Sequence, residues 1–130
     1  MKDNFEISCK TGKGTVCGLP TEIAVTEFSN KYFILITDCG KIGSLVQVQW
    51  ETSESDNFCS SRVFFGKDQP EIQAVTCAVT EKCKLVKPVV FGLSLKNYTA
   101  ASVKDVTALL TEIIGQSKSE SASQLPCYTG

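Results

Sequence analysis

Cysteine is the residue type in this chain with the widest chemical scope, because a thiolate is a nucleophile, a redox centre and a metal ligand. No two of the cysteines form a Cys-x-x-Cys pair, and the chain contains no histidine to complete a zinc site. Their odd number also argues against a secreted disulfide scaffold. The seven cysteines are Cys9, Cys17, Cys39, Cys59, Cys77, Cys83 and Cys127.

The cysteines divide by the elements predicted around them. We expect Cys9, Cys77 and Cys83 to pack as small apolar side chains, since they fall on predicted apolar faces. Cys59 and Cys127 are the stronger candidates for reactive thiols. Without histidine, only a nearby lysine or a helix N-terminus could lower a thiol pKa, and neither is well placed in the sequence. A cysteine-dependent redox or transfer enzyme is therefore an alternative function rather than the favoured one.

Two glycine-rich segments give weaker signals of a site. Residues 12–14 and 40–44 lack the spacing of a phosphate-binding loop and run from strand to strand, so they favour turns over nucleotide sites. The absence of histidine removes the commonest general base. We predict no catalytic residue, no metal ligand and no cofactor.

The charge balance excludes further classes. Thirteen basic and fourteen acidic residues give a net charge of −1, and Arg62 is the only arginine, so nucleic-acid binding is disfavoured. The apolar run 32–36 is far shorter than the roughly 20 residues of a membrane helix. The opening Met-Lys-Asp-Asn does not resemble a signal segment. We expect a soluble protein of the cytoplasm, and also of the nucleus, that binds no membrane.

Period-two alternation of apolar residues predicts a sheet. Residues 31–37 form a β-branched and aromatic run that is apolar on both sides, which is typical of a central strand. Two glycines in the segment 38–43 predict a hairpin from this strand to the next. The predicted strands cover residues 4–10, 15–17, 22–28, 31–37, 44–51, 62–65 and 89–95, with a turn at 11–14.

Helical spacing predicts two helices. The first begins at Asp68 as N-cap, with Glu71 completing a capping box, and the second has a box of Ser102 and Asp105 and ends at Gly115. The first buries Ile72, Val75, Val79 and Cys83; the second buries Val103, Val106, Leu110, Ile113 and Ile114.

These elements predict an α+β fold, with a mainly antiparallel sheet of about six or seven strands and two amphipathic helices. Residues 1–115 form a single domain, and the Ser-rich residues 116–130 are predicted to be a disordered tail. Two helices cover one sheet face only. The two-sided run 32–36 and the row Val46, Val48 and Trp50 leave further apolar surface, which a second subunit could cover. The domain is therefore expected to dimerise.

The polar segment 51–61 shows no sustained period and is predicted to be an exposed loop. Its acids could form a mobile arm that meets a basic partner and accelerates the encounter. The candidate partner-binding residues are Trp50, Glu51, Glu54, Asp56 and Phe58.

Three short segments, in order along the chain, resemble the proteasome assembly chaperone 3 family. They are VCGLPTEI at 16–23, CGKIGSL at 39–45 and FGKDQP at 65–70. Each segment consists mainly of residues that form turns. It is their order and spacing along the chain that agree with the family. The resemblance runs from about residue 5 to about residue 114.

This resemblance implies a small dimeric α+β protein without catalytic activity. It implies pairing with proteasome assembly chaperone 4, or a homodimer in isolation. It further implies that the protein helps α-subunits of the 20S core particle gather into their ring and leaves before maturation. A dimeric scaffold in trafficking or signalling shares the fold class and is the remaining alternative.

Overall fold

A computed structural model of the chain describes residues 8–52, 57–66 and 69–119, the last four of these by their backbone only. In chain order the elements are β1 (Ser8–Val16), β2 (Leu19–Glu27), β3 (Tyr32–Thr37), β4 (Ser44–Thr52), β5 (Asn57–Phe65), α1 (Pro70–Lys82), β6 (Val89–Ser94) and α2 (Ala100–Ser119).

The strands form one six-stranded sheet in the order β1-β2-β3-β6-β4-β5. Among the described strands, β3 and β6 alone pair in parallel, and the other pairs are antiparallel. The predicted α+β class and mainly antiparallel sheet are confirmed. The predicted hairpin between residues 31–37 and 44–51 is wrong, because β6 lies between β3 and β4. The almost wholly apolar β6 takes a central place, where both of its faces can leave water.

β1 runs straight through residues 11–14, so the turn predicted there is wrong. The glycines serve a close approach: a Cβ at Gly12 would stand 2.7 Å from Cδ1 of Ile113, and one at Gly14 would overlap Leu109 of α2. The chain reverses instead at Cys17 and Gly18, with φ of 53° and 82°. Two positive φ values in a two-residue loop are what a type I′ hairpin turn requires.

The core lies between one face of the sheet and the two helices. Alternate residues of the central strands enter it, among them Ile34, Phe91 and Val46, each fully buried. The predicted apolar stripes of the helices are confirmed by the burial of Ile72, Val75 and Val79 in α1, and of Val106, Leu110 and Ile113 in α2.

The N-cap of α1 is Gln69, which makes no side-chain cap, and Pro70 begins the first turn. The predicted Asp68 box is therefore wrong by one residue, and Asp68 itself lies outside the described residues.

The capping box of α2 lies one turn earlier than predicted. Thr99 Oγ1 accepts a hydrogen bond from the backbone N–H of Ser102, while Ser102 Oγ accepts one from the N–H of Thr99. Asp105 is thereby free to reach across the fold, where its Oδ2 accepts a hydrogen bond of 3.0 Å from the N–H of Cys17. This contact ties the β1–β2 turn to α2.

α2 continues through Gly115 to Ser119, so its predicted end is wrong. One glycine costs a helix only about 1 kcal/mol relative to alanine, too little to end a helix whose apolar face is already docked. Residues 120–130 of the predicted tail lie outside the described residues.

Candidate protein interface

The sheet face turned away from the helices carries an apolar row across four strands. The strand register aligns Ala24, Leu35, Gly92 and Leu45 side by side, and the neighbouring row pairs Phe33 with Val90. Both helices pack on the opposite face. We call this surface the open patch and define it by Phe33, Leu35, Ile42, Leu45, Phe65 and Val90.

The open patch remains accessible to a partner. Ile42 and Phe65 are 47% and 60% exposed, and Phe33, Leu35, Leu45 and Val90 are half-buried. The expectation that residues 32–36 are apolar on both sides is confirmed. The row of Val46 and Val48 was expected to add to the uncovered surface, but both residues are buried beneath the helices.

Polar side chains border the open patch along β4 and β5. Gln47 Nε2 donates to Gln49 Oε1 at 3.2 Å, and Gln49 Nε2 reaches Glu51 Oε2 at 3.5 Å. The same carboxylate accepts a hydrogen bond of 2.9 Å from Ser60 Oγ. An apolar centre with a hydrogen-bonded polar rim is the usual anatomy of a protein–protein interface.

β5 is an edge strand with exposed aromatic side chains. The register places Val63 opposite Val46 and Phe65 opposite Leu45, so Phe64 is the extra residue of a bulge. Phe64 and Phe65 are 52% and 60% exposed, and the Arg62 guanidinium lies 5.9 Å from the centre of the Phe64 ring. Exposed apolar residues on an unpaired strand edge favour contact with another chain.

The predicted partner-binding residues do not form a single cluster. Trp50 lies on the helix-covered side, where its Nε1 donates to the backbone oxygen of Leu85 at 2.7 Å. Glu51 and Phe58 are opposite each other on β4 and β5, and both are exposed. Glu54 and Asp56 lie outside the described residues.

The predicted loop 51–61 is largely strand. Glu51 and Thr52 end β4, and β5 begins at Asn57 rather than at residue 62. The prediction missed this strand because it relied on alternating apolar residues, and this Ser-rich segment has none. An edge strand can do without that alternation, since its polar side chains can face water or bond to neighbours. Ser61 Oγ, for example, donates to Gln73 Oε1 of α1 at 2.8 Å.

The thiols also depart from expectation. Cys77 and Cys83 pack against the core as predicted, whereas Cys9 is exposed. Cys59, predicted to be one of the more reactive thiols, is half-buried, and burial, followed by the hydrogen bond to Cys77, raises the pKa of its thiol to about 12, so little of it is thiolate at neutral pH. Cys127 lies outside the described residues.

Cys39 is the thiol that the sequence interpretation missed. It is exposed, and hydrogen bonds with the Ser94 hydroxyl, the Lys41 backbone and the Thr37 hydroxyl lower its pKa. The largest cause, Ser94, is 55 residues away in the chain, so no local pattern could have revealed it. The sequence signal for the open patch, in contrast, was the two-sided run 32–36.

Within the described ranges no group of three His, Cys, Asp or Glu side chains could hold a metal ion. No helix of those ranges is long and apolar enough to cross a membrane.

A family model described as proteasome assembly chaperone 3 matches residues 34–113, from the middle of β3 into α2. The chain belongs to the proteasome assembly chaperone 3 family. The resemblance inferred from the three short segments is therefore confirmed, and family membership supports a chaperone role.

Mammalian relatives match over part of their length. The bovine proteasome assembly chaperone 3 is 33% identical over 67 residues, covering 49% of this chain and 55% of the bovine protein. The human proteasome assembly chaperone 3 is 32% identical over 75 residues, covering 55% of this chain and 62% of the human protein. The matched region thus spans less than two thirds of the length of these relatives.

A solved structure shares the fold. One chain of a structure described as a novel chaperone complex for yeast 20S proteasome assembly superposes with a TM-score of 0.69 at 13% identity, over 82% of this chain and 98% of the yeast chain. At this identity the similarity concerns the fold alone, and it agrees with the α+β class predicted from the sequence.

Proposed function

We propose that this protein is a chaperone for assembly of the 20S proteasome core particle. It holds α-subunits while they gather into the α-ring and leaves before maturation. Membership of the proteasome assembly chaperone 3 family is the observation that carries this proposal. The open patch supports it physically, because a scaffold needs a complementary surface rather than a poised acid, base or metal.

The open patch is the surface through which the chain pairs with proteasome assembly chaperone 4. Four of the strands have nine residues and β3 and β6 have six, so strands spaced about 4.8 Å apart give a six-stranded face of roughly 760 Å². That area is close to the roughly 800 Å² that each partner buries in a stable complex. A second copy of this chain covers the same face when the protein is isolated.

Contact with an α-subunit is assigned to the β4–β5 hairpin. Glu51 and Phe58 are exposed and opposite each other, and Glu54 and Asp56 lie between them in the sequence. Three acids beside an aromatic residue suit a basic surface that is contacted early in the encounter. Trp50 is excluded from this assignment because its indole is bonded to Leu85.

The proposal makes the protein a non-enzyme of the cytoplasm and nucleus. The lowered pKa of the exposed Cys39 thiol favours one alternative, a cysteine-dependent redox or transfer enzyme. Cys39→Ser separates the two functions. A chaperone retains its binding of α-subunits after this change, whereas a thiol enzyme loses its activity.

The test is co-expression of the tagged chain with proteasome assembly chaperone 4 and single α-subunits, followed by native mass spectrometry. The expected species contains one copy of this chain, one chaperone 4 and an α-subunit. After addition of the complete set of core subunits, the chain should be absent from the mature particle. Failure to bind any α-subunit in the presence of chaperone 4 would contradict the proposal.

A further inference from the structure

Two thiols meet where β5 packs on α1. Cys59 Sγ lies 4.0 Å from the backbone oxygen of Cys77, and Cys77 Sγ lies 3.7 Å from the backbone oxygen of Cys59. The two side chains also hydrogen-bond to each other. Each sulfur atom therefore lies close to the other residue, which is the starting arrangement for a disulfide between them.

The surroundings of the pair favour uncharged sulfur. Cys59 is half-buried opposite Trp50 in the β4–β5 ladder. Burial, the hydrogen bond to Cys77 and the charges of Cys77 and Glu81 all raise the Cys59 pKa. Dithiols become strong oxidants when their reduced form is stabilised, as in DsbA. The raised pKa of Cys59 means that its thiolate is not stabilised here. A disulfide between Cys59 and Cys77 would therefore not be made a strong oxidant by a stabilised thiolate.

We propose that Cys59 and Cys77 form a dithiol site that a low-molecular-weight disulfide, such as glutathione disulfide, oxidises to an intramolecular disulfide joining β5 to α1. The Cys77 thiolate attacks glutathione disulfide and releases one glutathione thiolate. Cys59 then loses its proton to solvent and attacks the Cys77 sulfur, releasing the second glutathione. Two protein thiols are oxidised, and one glutathione disulfide is reduced to two thiols.

The bond would fasten the outermost strand of the sheet. Among the described strands β5 pairs with β4 alone, and it also packs on α1. Cys59 and Cys77 are 18 residues apart in the chain, and closing a loop of this size should raise the ratio of folded to unfolded protein by roughly a hundredfold. Oxidation would thus fix the strand that carries Phe58 and Phe64.

The reaction should be slow at neutral pH and faster as the pH rises. Little Cys59 is present as thiolate when its pKa is about 12, and only the thiolate attacks. Cys39, which is exposed and has a lowered pKa, should instead form a mixed disulfide with glutathione early. It therefore provides an internal control for the presence of the oxidant.

The experiment uses the folded, fully reduced full-length chain in a series of glutathione redox buffers. Aliquots are alkylated and digested with trypsin without reduction. Peptide 42–62 contains Cys59 as its only cysteine, and peptide 68–82 contains only Cys77. We expect these two peptides to appear joined by a disulfide, with a mass two hydrogen atoms below the sum of the two reduced peptides. The urea midpoint of the oxidised protein should exceed that of the reduced protein.

Variants identify the pair. Cys39→Ser should leave the joined peptides unchanged, whereas Cys59→Ser and Cys77→Ser should each abolish them. Three results would overturn the proposal: glutathione that stays attached to Cys59 or Cys77 at equilibrium without any joined peptides, joined peptides that involve another cysteine instead, or joining that occurs only after unfolding in urea. The first and third results need no variant, so a poorly folded variant does not obscure the outcome.

Discussion

The two faces of the sheet are built by the same strands and differ in what they contact. In β6, Phe91 is fully buried against the helices, while the adjacent Val90 is half-buried on the open patch. In β3, Ile34 and Leu35 differ in the same way. Since successive side chains of a strand point to opposite faces, stability and recognition can be assigned to alternating positions. Mutations one residue apart should therefore separate the two properties.

The largest difference is expected within β6. Phe91→Ala removes a fully buried aromatic side chain and should lower the free energy of unfolding by about 3–5 kcal/mol. Val90→Ala, the matched change on the open patch, should cost less than about 1.5 kcal/mol. Urea unfolding measures both. Equal losses at the two positions would contradict the division between the faces.

The attachment of α2 to the covered face should have a smaller effect. Asp105→Ala removes the acceptor for the Cys17 N–H and should lower the free energy of unfolding by about 1.5–3 kcal/mol, the range for a hydrogen bond to a charged group. Lys104→Ala, at an exposed position of the same helix, should change it by less than about 0.5 kcal/mol. If Asp105→Ala is as mild as this control, the turn is not held by α2.

Alkaline pH should lower the stability of the fold through ionisable groups that are partly buried on the covered face. Burial raises the pKa of the Cys83 thiol above its ordinary 9.0 and that of the Tyr98 phenol above 10.0. An acid with a raised folded pKa contributes its full stability below the unfolded pKa and loses it as the pH rises through the folded pKa. The melting temperature, measured between about pH 8 and about pH 11, should therefore fall as the pH rises, starting near pH 9.

Cys39 provides the contrast beside the open patch. Its pKa is lowered, so its thiolate favours the folded state as the pH rises toward 9.0. Cys83→Ser should reduce the alkaline loss of stability, whereas Cys39→Ser should not. If the alkaline loss of stability were reduced in Cys39→Ser and not in Cys83→Ser, the assignment of that loss to Cys83 would be contradicted.

The smallest effect on stability is expected at the β4–β5 hairpin. Changing Glu51, Glu54 and Asp56 together to lysine should move the free energy of unfolding by no more than about 0.5 kcal/mol. The same change should weaken α-subunit binding roughly tenfold by slowing association. The control is a change of Glu81 and Glu112, which are exposed on the helices, to lysine. Unaltered α-subunit binding by the triple variant would refute the acidic-arm assignment.

The parts of the fold predicted correctly are those whose signal is local. The alternation in 44–51 and 89–95 identified β4 and β6, and the helical stripes identified the buried residues of α1 and α2. The order of strands could not be predicted in this way, because the insertion of β6 between β3 and β4 depends on contacts made late in the chain. The role of Gly12 was missed for the same reason, since its close neighbour is Ile113.

The candidate interface was predicted in part. The two-sided run 32–36 indicated surplus apolar surface, and the structure places Phe33 and Leu35 in the open patch. Trp50 was assigned to binding because its sequence neighbours are acidic, but its partner Leu85 is 35 residues away. The aromatic edge at Phe64 and Phe65 was missed, since the bulge that exposes both residues is a property of strand pairing.

The most direct test of the central claim is the affinity for proteasome assembly chaperone 4 of two variants with the same chemical change. Ile42→Glu places a charge on the open patch, and Val86→Glu places one at a residue that is 78% exposed and outside the patch. Both variants should melt like the unchanged chain. We predict that Ile42→Glu abolishes pairing and Val86→Glu preserves it. Undiminished pairing of a folded Ile42→Glu variant would contradict the claim that the open face is the docking surface.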